Sequence, residues 1–265
     1  MKRILLTGGA GGLGRAIAEY FALRGVTVYS CDIKDQKKYP GIVPLKLDLR
    51  DTASIKAAKE QVELAGGLDA VIHLAGIYMM DSFAEMQEER LSALMDINFM
   101  GVYRVNKAFL PLLNPGGRII ITTSELAWQK PLPFTGVYAV SKTALECYAD
   151  ALRLELQLLG IPVIAVRPGA FKTELLGESS KELNRLKENT KLYIGRLGSL
   201  SRIMEGQFGK AEDPETLAKV FWKAAFDKRP KMRYTVNASF LLRLYSAMPR
   251  RLQAFALRRL LKQRG

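Results

Sequence analysis

Residues 3–25 read RILLTGGAGGLGRAIAEYFALRG, and this stretch decides the fold. Ile4, Leu5 and Leu6 form a short continuous apolar run, the pattern of a strand covered on both faces. TGGAGGLG, Thr7–Gly14, then places five glycines in eight residues. Glycine accepts positive φ and lets a backbone approach another group closely. Beyond it, Leu13, Ile17, Tyr20 and Phe21 share a helical face that ends at Gly25. Strand, glycine turn and helix in this order aim unpaired helix N–H groups and a positive dipole end past the strand, where a phosphate is accommodated. Two glycine spacings coexist: Gly8, Gly12 and Gly14 make GxxxGxG, while Gly8, Gly11 and Gly14 make GxxGxxG. The turn by itself does not choose between them, and a glycine-rich turn without a ligand is the bland alternative.

The same alternation continues along the chain. VTVYSCD (26–32) and IVPLKLDL (42–49) are further strands, too close for the usual crossover helix, which is missing or reduced to a turn. TASIKAAKEQVELAG (52–66) is a helix, LDAVIHLAG (68–76) a fourth strand, and one long helix is predicted from about Glu88 to Leu113, stopped by NPGG. GRIIITTS (117–124) is a fifth strand, residues 138–159 a helix, IPVIAVRPG (161–169) a sixth strand and RYTVN (233–237) a short seventh. Alternating strands and helices predict an α/β doubly wound parallel sheet, with ligands beyond the carboxyl ends of the strands.

Composition narrows the function classes. The chain has 265 residues, 48% hydrophobic and 25% charged, which suits one large domain with a full core. Cys31 and Cys147 stand alone, so a disulfide framework or a metal site is not expected and a cytoplasmic location is. No apolar run reaches the roughly 18 residues that span a bilayer, and the opening "ILL" is too short for a secretory signal. The net charge of +14 is uneven: from Lys228 onward there are eleven Lys or Arg and no Asp or Glu. That argues for a local basic surface and against a nucleic-acid binder.

Several residues at strand ends carry chemistry. Asp32 closes the second strand, where a carboxylate accepts hydrogen bonds from ribose hydroxyls and repels a 2′-phosphate, favouring NAD over NADP. Gly11 leaves the loop without a basic side chain, whereas Lys34, Lys37 and Lys38 just beyond Asp32 are the counter-argument. Asp32 as a turn residue is the plainer reading. Ser124 follows the fifth strand. Tyr138 and Lys142, in GVYAVSK (136–142), lie one helical turn apart on one face. A protonated Lys142 is expected to lower the pKa of Tyr138 and make it a proton carrier, with Ser124 holding the same substrate oxygen. Asn98, a polar amide inside a buried helix, is expected to anchor a water linking Lys142 to solvent. Taken alone, each reads better as structural; their order and placement at one sheet edge favour catalysis.

Taken together, TGGAGGLG, Asp32, LDL (47–49), LAG (74–76), Asn98, Ser124, YAVSK and RPGAFKT resemble the short-chain dehydrogenase/reductase family, with hydroxysteroid dehydrogenases among its members, over residues 3 to about 236. The resemblance implies a Rossmann-type domain that moves hydride between NAD(P) and an alcohol or carbonyl, usually as a homodimer or homotetramer. It implies Asn98, Ser124, Tyr138 and Lys142 as the catalytic four, and Gly8, Gly12, Leu13 and Gly14 around the phosphates. It places Asp48 and Leu49 at the adenine, Ala75 and Gly76 close to the cofactor, Lys142 on the nicotinamide ribose, and Pro168, Gly169 and Thr173 along the nicotinamide. It favours the GxxxGxG spacing, because the GxxGxxG branch carries more C-terminal substrate-domain sequence. His73 stands where the family usually has Asn and is read as structural; TTSE replaces the usual ISS run, leaving Thr123 as a rival to Ser124.

The expected organisation is a catalytic domain over 1–238, with a substrate lid at about 174–210, and a basic helical tail over 239–265. Leu175, Leu176, Leu186, Leu192, Tyr193, Ile203, Met204 and Phe208 either line an apolar pocket or pack the lid. In the tail, Leu252, Ala256 and Leu260 align opposite Arg251, Arg258 and Lys262, suiting a membrane surface or packing on the protein itself. The expected activity is NAD-dependent interconversion of a hydrophobic, steroid- or lipid-like secondary alcohol and its ketone. The alternative is a non-catalytic dinucleotide-binding regulator or membrane-associated scaffold.

Overall fold

Seven parallel strands form one sheet in the order β3-β2-β1-β4-β5-β6-β7. The computed structural model describes residues 1–172, 174–198, 200 and 211–261. The strands are β1 (Arg3–Thr7), β2 (Thr27–Asp32), β3 (Ile42–Lys46), β4 (Leu68–His73), β5 (Leu113–Thr122), β6 (Val163–Pro168) and β7 (Arg233–Val236). Helices α1 (Gly12–Ala22), α2 (Thr52–Glu63), α3 (Glu88–Met95), α4 (Gly101–Phe109), α5 (Gly136–Leu156), α6 (Glu174–Asn189) and α7 (Pro214–Phe226) connect them, and α8 (Phe240–Ala247) and α9 (Arg250–Leu261) close the chain. This is the doubly wound, Rossmann-type sheet expected from the alternation. The β2–β3 connection carries no helix, only a turn with a Tyr39–Ile42 bridge.

Both faces of the sheet are covered, which is why its strands are apolar without a polar side. Ile4 and Leu6 point to one layer, where Ile17 and Phe21 of α1 meet Leu217 and Phe221 of α7. Leu5, one residue out of phase, points to the other, with Ile55 and Val62 of α2 and Val105 and Phe109 of α4. Phe21 and Phe221 are fully buried, and truncating either to alanine would cost about 3–5 kcal/mol.

Two local expectations change. The long helix is interrupted: Asp96–Met100 forms a π-helical turn, in which Gly101 N–H bonds back five residues to the Asp96 carbonyl. Such single-turn insertions redirect the backbone and collect at functional sites, and this one holds Asn98. NPGG does not merely stop the helix, since it lies within β5 as a bulge: Leu68 pairs with Leu113, but Ala70 pairs with Arg118. Strand order reverses on either side of β1, so a crevice opens between the carboxyl ends of β1 and β4.

Candidate active site

That crevice is a cleft of about 400 Å³. Its floor is the glycine turn. Gly8 has φ +77°, and a Cβ there would lie 2.7 Å from the Ala75 nitrogen; a Cβ on Gly14 would lie 2.0 Å from the Gly8 carbonyl oxygen. At Gly11 the same atom has ordinary clearance, 3.6 Å. Gly8 and Gly14 are thus sterically required, whereas Gly11 is not. The first turn of α1, with Gly12 and Leu13 on the cleft, has no side-chain cap. Its N–H groups face the cleft, as an anionic phosphate requires. Thr7 Oγ1 accepts from the N–H groups of Leu74 and Ala75 at 3.2 and 3.3 Å, holding the loop after β4 against the turn. These residues fit a dinucleotide.

Asp32 lies at the far end of the cleft with Lys34 and Arg50. Its carboxylate already accepts from the Ala10 and Lys34 N–H groups, at 3.0 and 2.9 Å. It is therefore a strut for the glycine turn that also lines the cleft. Asp48 also lines the cleft, in a bidentate pair with Arg50 that holds its carboxyl below the usual range. Leu49 is buried against Gly101, where a Cβ would lie 2.7 Å from that of Leu49.

The catalytic candidates converge at the other end. Ser124 opens a 3₁₀ turn after β5, accepting from Leu126 N–H at 3.2 Å, and its hydroxyl hydrogen-bonds the Tyr138 phenol. Lys142 is buried; its Nζ donates to the Thr122 carbonyl at 3.1 Å and lies 5.7 Å from the Tyr138 ring centre. Burial lowers the Lys142 pKa to about 8. Contrary to the sequence expectation, the protein's own groups raise the Tyr138 pKa. Burial is the main cause and the neighbouring Tyr78 adds to it, against a lowering by Ser124. The physical reason is that a buried phenolate loses its hydration, while the Lys142 ammonium is directed at a backbone carbonyl.

Asn98 is fully buried behind this pair. Its Oδ1 accepts from Ile77 N–H at 2.8 Å, and its Nδ2 donates to the Ile77 carbonyl and to Ser141 Oγ at 3.0 and 3.1 Å. The amide is taken up in fixing the segment after β4 beside Lys142. A Cβ on Gly76 would sit 3.1 Å from Asn98 Oδ1 and 3.5 Å from Lys142 Nζ. Thr123 is ruled out as the rival to Ser124 by its own bonding, since its Oγ1 donates to Glu146 at 2.8 Å.

Pro168 lies on the cleft, but Gly169 is pressed against the other side of its loop, where a Cβ would meet the Asn237 carbonyl oxygen at 1.9 Å. Thr173 lies outside the described residues. His73 is buried, its Nε2 bonded to Asn106 Oδ1 at 2.6 Å. Burial lowers its pKa to about 4, which keeps it neutral.

Sequence reasoning missed Tyr78, whose ring centre is 4.9 Å from that of Tyr138 and whose hydroxyl bonds Ser179 of α6. It also missed the ionic clamp on α6. Asp81 accepts from Arg90 Nε at 2.9 Å and from Arg185 Nη2 at 2.7 Å, and Glu182 accepts from the Met80 N–H and from Arg90 at 3.2 and 3.1 Å. These partners lie up to 104 residues apart, so no local spacing could have revealed them. Of the eight apolar lid residues, Leu186 is buried in a cluster with Met80, Leu183, Leu197 and Leu200, and Tyr193 packs on it. Leu192 is exposed. The side chains of Leu175 and Leu176, and Ile203, Met204 and Phe208 altogether, lie outside the described residues.

A parallel sheet with a glycine turn at its switch point, and a Ser–Tyr–Lys cluster on the same edge, defines a dinucleotide-binding α/β protein of the Rossmann type. The family model of the short chain dehydrogenases matches residues 2–184, and the chain belongs to that family of nicotinamide-dependent oxidoreductases. It is similar to 3-ketodihydrosphingosine reductase of Bacteroides thetaiotaomicron, 29% identical over 236 residues, covering 88% of this chain and 87% of that protein. It is similar to human 17-beta-hydroxysteroid dehydrogenase type 1, 29% identical over 261 residues and covering 90% and 78%. NADPH-dependent 3-dehydrocapnine reductase of Ornithobacterium rhinotracheale is 30% identical over 259 residues, covering 91% and 90%.

Proposed function

We propose that the chain is an NAD(H)-dependent oxidoreductase that interconverts a secondary alcohol and its ketone on a hydrophobic, lipid-like substrate, with Tyr138 as the acid/base. The observation that carries this is the convergence of Ser124, Tyr138 and Lys142 at the end of a cleft whose floor is the glycine turn. A bound nicotinamide dinucleotide supplies or accepts the hydride. Ser124 holds the substrate oxygen, and Tyr138 exchanges the proton with it. Burial keeps the Tyr138 phenol protonated, the form that donates to the oxygen of a ketone. Lys142 binds the ribose and replenishes the proton; Asn98 serves this path by holding the Gly76–Ile77 segment beside Lys142 Nζ. Gly12, Leu13, Asp32, Asp48, Leu49, Ala75, Pro168, Gly169 and Thr173 complete the cofactor site.

A lipid-like ketone is supported by relatives whose names specify a ketosphingoid base, a steroid and a dehydrocapnine. Helix α6, clamped over Tyr78 and Tyr138, acts as the lid. NAD is favoured by Asp32 at the ribose end; Lys34 and Arg50 on the same cleft, and the NADPH-dependent relative, give the other arm of the test. Exposed Met100 just before α4 and Tyr103 on it, with Val140 and Leu154 on α5, suit a homodimer or homotetramer. No helix among the described residues is long and apolar enough to cross a membrane.

The test is cofactor absorbance with NADH and NADPH against a panel of long-chain keto-lipids and keto-steroids. Turnover with one of these, with higher kcat/KM for NADH, is expected. Tyr138→Phe should lower kcat by about 10²- to 10⁴-fold, the usual share of a general acid, with cofactor affinity unchanged. No turnover on any panel member, or full rate in the variant, would overturn the reading.

A further inference from the structure

Helices α8 and α9 are fastened to the catalytic end of the sheet along one side only. Ser239 N–H donates to Glu125 Oε2 at 2.7 Å, and Lys130 N–H to Ser246 Oγ at 2.7 Å. Leu242 is buried, and Gln253 turns its amide inward onto the carbonyls of Tyr245, Ser246 and Met248. Leu252, which the sequence placed on the apolar face of α9, faces outward with Phe255. On α8, Phe240, Leu241 and Leu244 share the outward face at spacings of one and four. These five side chains are 51–71% exposed.

Around them stand Arg250, Arg251, Arg258 and Arg259, all exposed and none paired with a carboxylate among the described residues; Arg243 instead lies over the Trp128 ring. From Lys228 to the end the sequence holds no acidic residue that could neutralise them. We propose that this face docks on an anionic bilayer surface, its apolar side chains entering the acyl boundary and its arginines meeting the headgroups. A second copy of the chain is disfavoured by charge, because a two-fold contact would oppose one set of unpaired arginines with another. Since α8 hangs from Glu125, the residue after Ser124, docking holds the Ser124 end of the site at the surface. The docking residues are separate from those assigned to catalysis.

The full chain would be floated with vesicles of phosphatidylcholine alone and of phosphatidylcholine with phosphatidylglycerol, at low and high salt. Binding to the anionic vesicles, weakened by salt, is expected. Leu244→Glu/Phe255→Glu and, separately, Arg258→Glu/Arg259→Glu should each cut the partition coefficient by about tenfold or more. Both variants should keep the wild-type thermal midpoint, because all four side chains are exposed. Absence of binding to anionic vesicles, or equal binding by the variants, would overturn the proposal. So would variants whose mass by light scattering falls, since that assigns the face to a second copy.

Discussion

The two ends of the cleft are built by different means. At the nucleotide end the backbone is the recognition surface: Gly8 and Gly14 bring main-chain atoms within distances that exclude any Cβ, and Thr7 and Asp32 brace the turn through N–H groups. At the substrate end, α6 is held over Tyr78 by the side chains of Arg90, Glu182 and Arg185, which are partly exposed, around the buried carboxylate of Asp81. Main-chain packing tolerates no substitution, whereas an ionic clamp can be retuned one residue at a time. A cofactor common to many reactions and a substrate peculiar to one call for these two different constructions.

The sharpest way to break the contrast is within the glycine turn. Gly14→Ala puts a methyl against the Gly8 carbonyl, and dinucleotide affinity should fall by about 100-fold or more, at a cost of about 1–3 kcal/mol in stability. Gly11→Ala should leave both within about twofold. Equal losses, followed by fluorescence titration and thermal melts, would show that glycine content and not close approach matters. His73, beneath the nucleotide end, gives the next largest effect. Its folded pKa of about 4 lies below the ordinary 6.5. Between those pH values the unfolded chain binds the extra proton, so stability is full above pH 6.5 and is lost as pH falls toward 4. The loss is on the order of 3 kcal/mol, and His73→Asn should flatten it in urea titrations at a series of pH values.

At the substrate end, Asp81→Asn removes one charge from the clamp. The substrate KM should rise by about tenfold while the dinucleotide Kd stays put; a matched change in both would mean the ends are not separable. Tyr78→Phe is the gentlest probe. It keeps the ring against Tyr138 and removes only the hydroxyl bond to Ser179, so a change in KM of about three- to fivefold with kcat preserved is expected.

The fold was largely legible because each strand and crossover announces itself locally, in runs such as ILL and VIAV and in helical stripes such as Leu13, Ile17 and Phe21. The residues at strand ends were legible for the same reason, since the sheet brings all carboxyl edges together. The π turn at Asn98 was not, because it depends on an amide bridging to Ile77, 21 residues away. Nor was Gly169's packing on Asn237.

The amino-acid sequence by itself determined the parallel sheet, the glycine turn, the Tyr138–Lys142 pairing and the basic tail, all set by spacing along the chain. Tertiary structure alone decided three things. It gave Tyr138 a raised pKa, because burial outweighs a lysine directed elsewhere. It tied α6 to Tyr78, because the clamp joins distant segments. It turned Leu252 and Phe255 outward, because Gln253 is buried on the other side of α9 with its amide on the carbonyls of Tyr245, Ser246 and Met248.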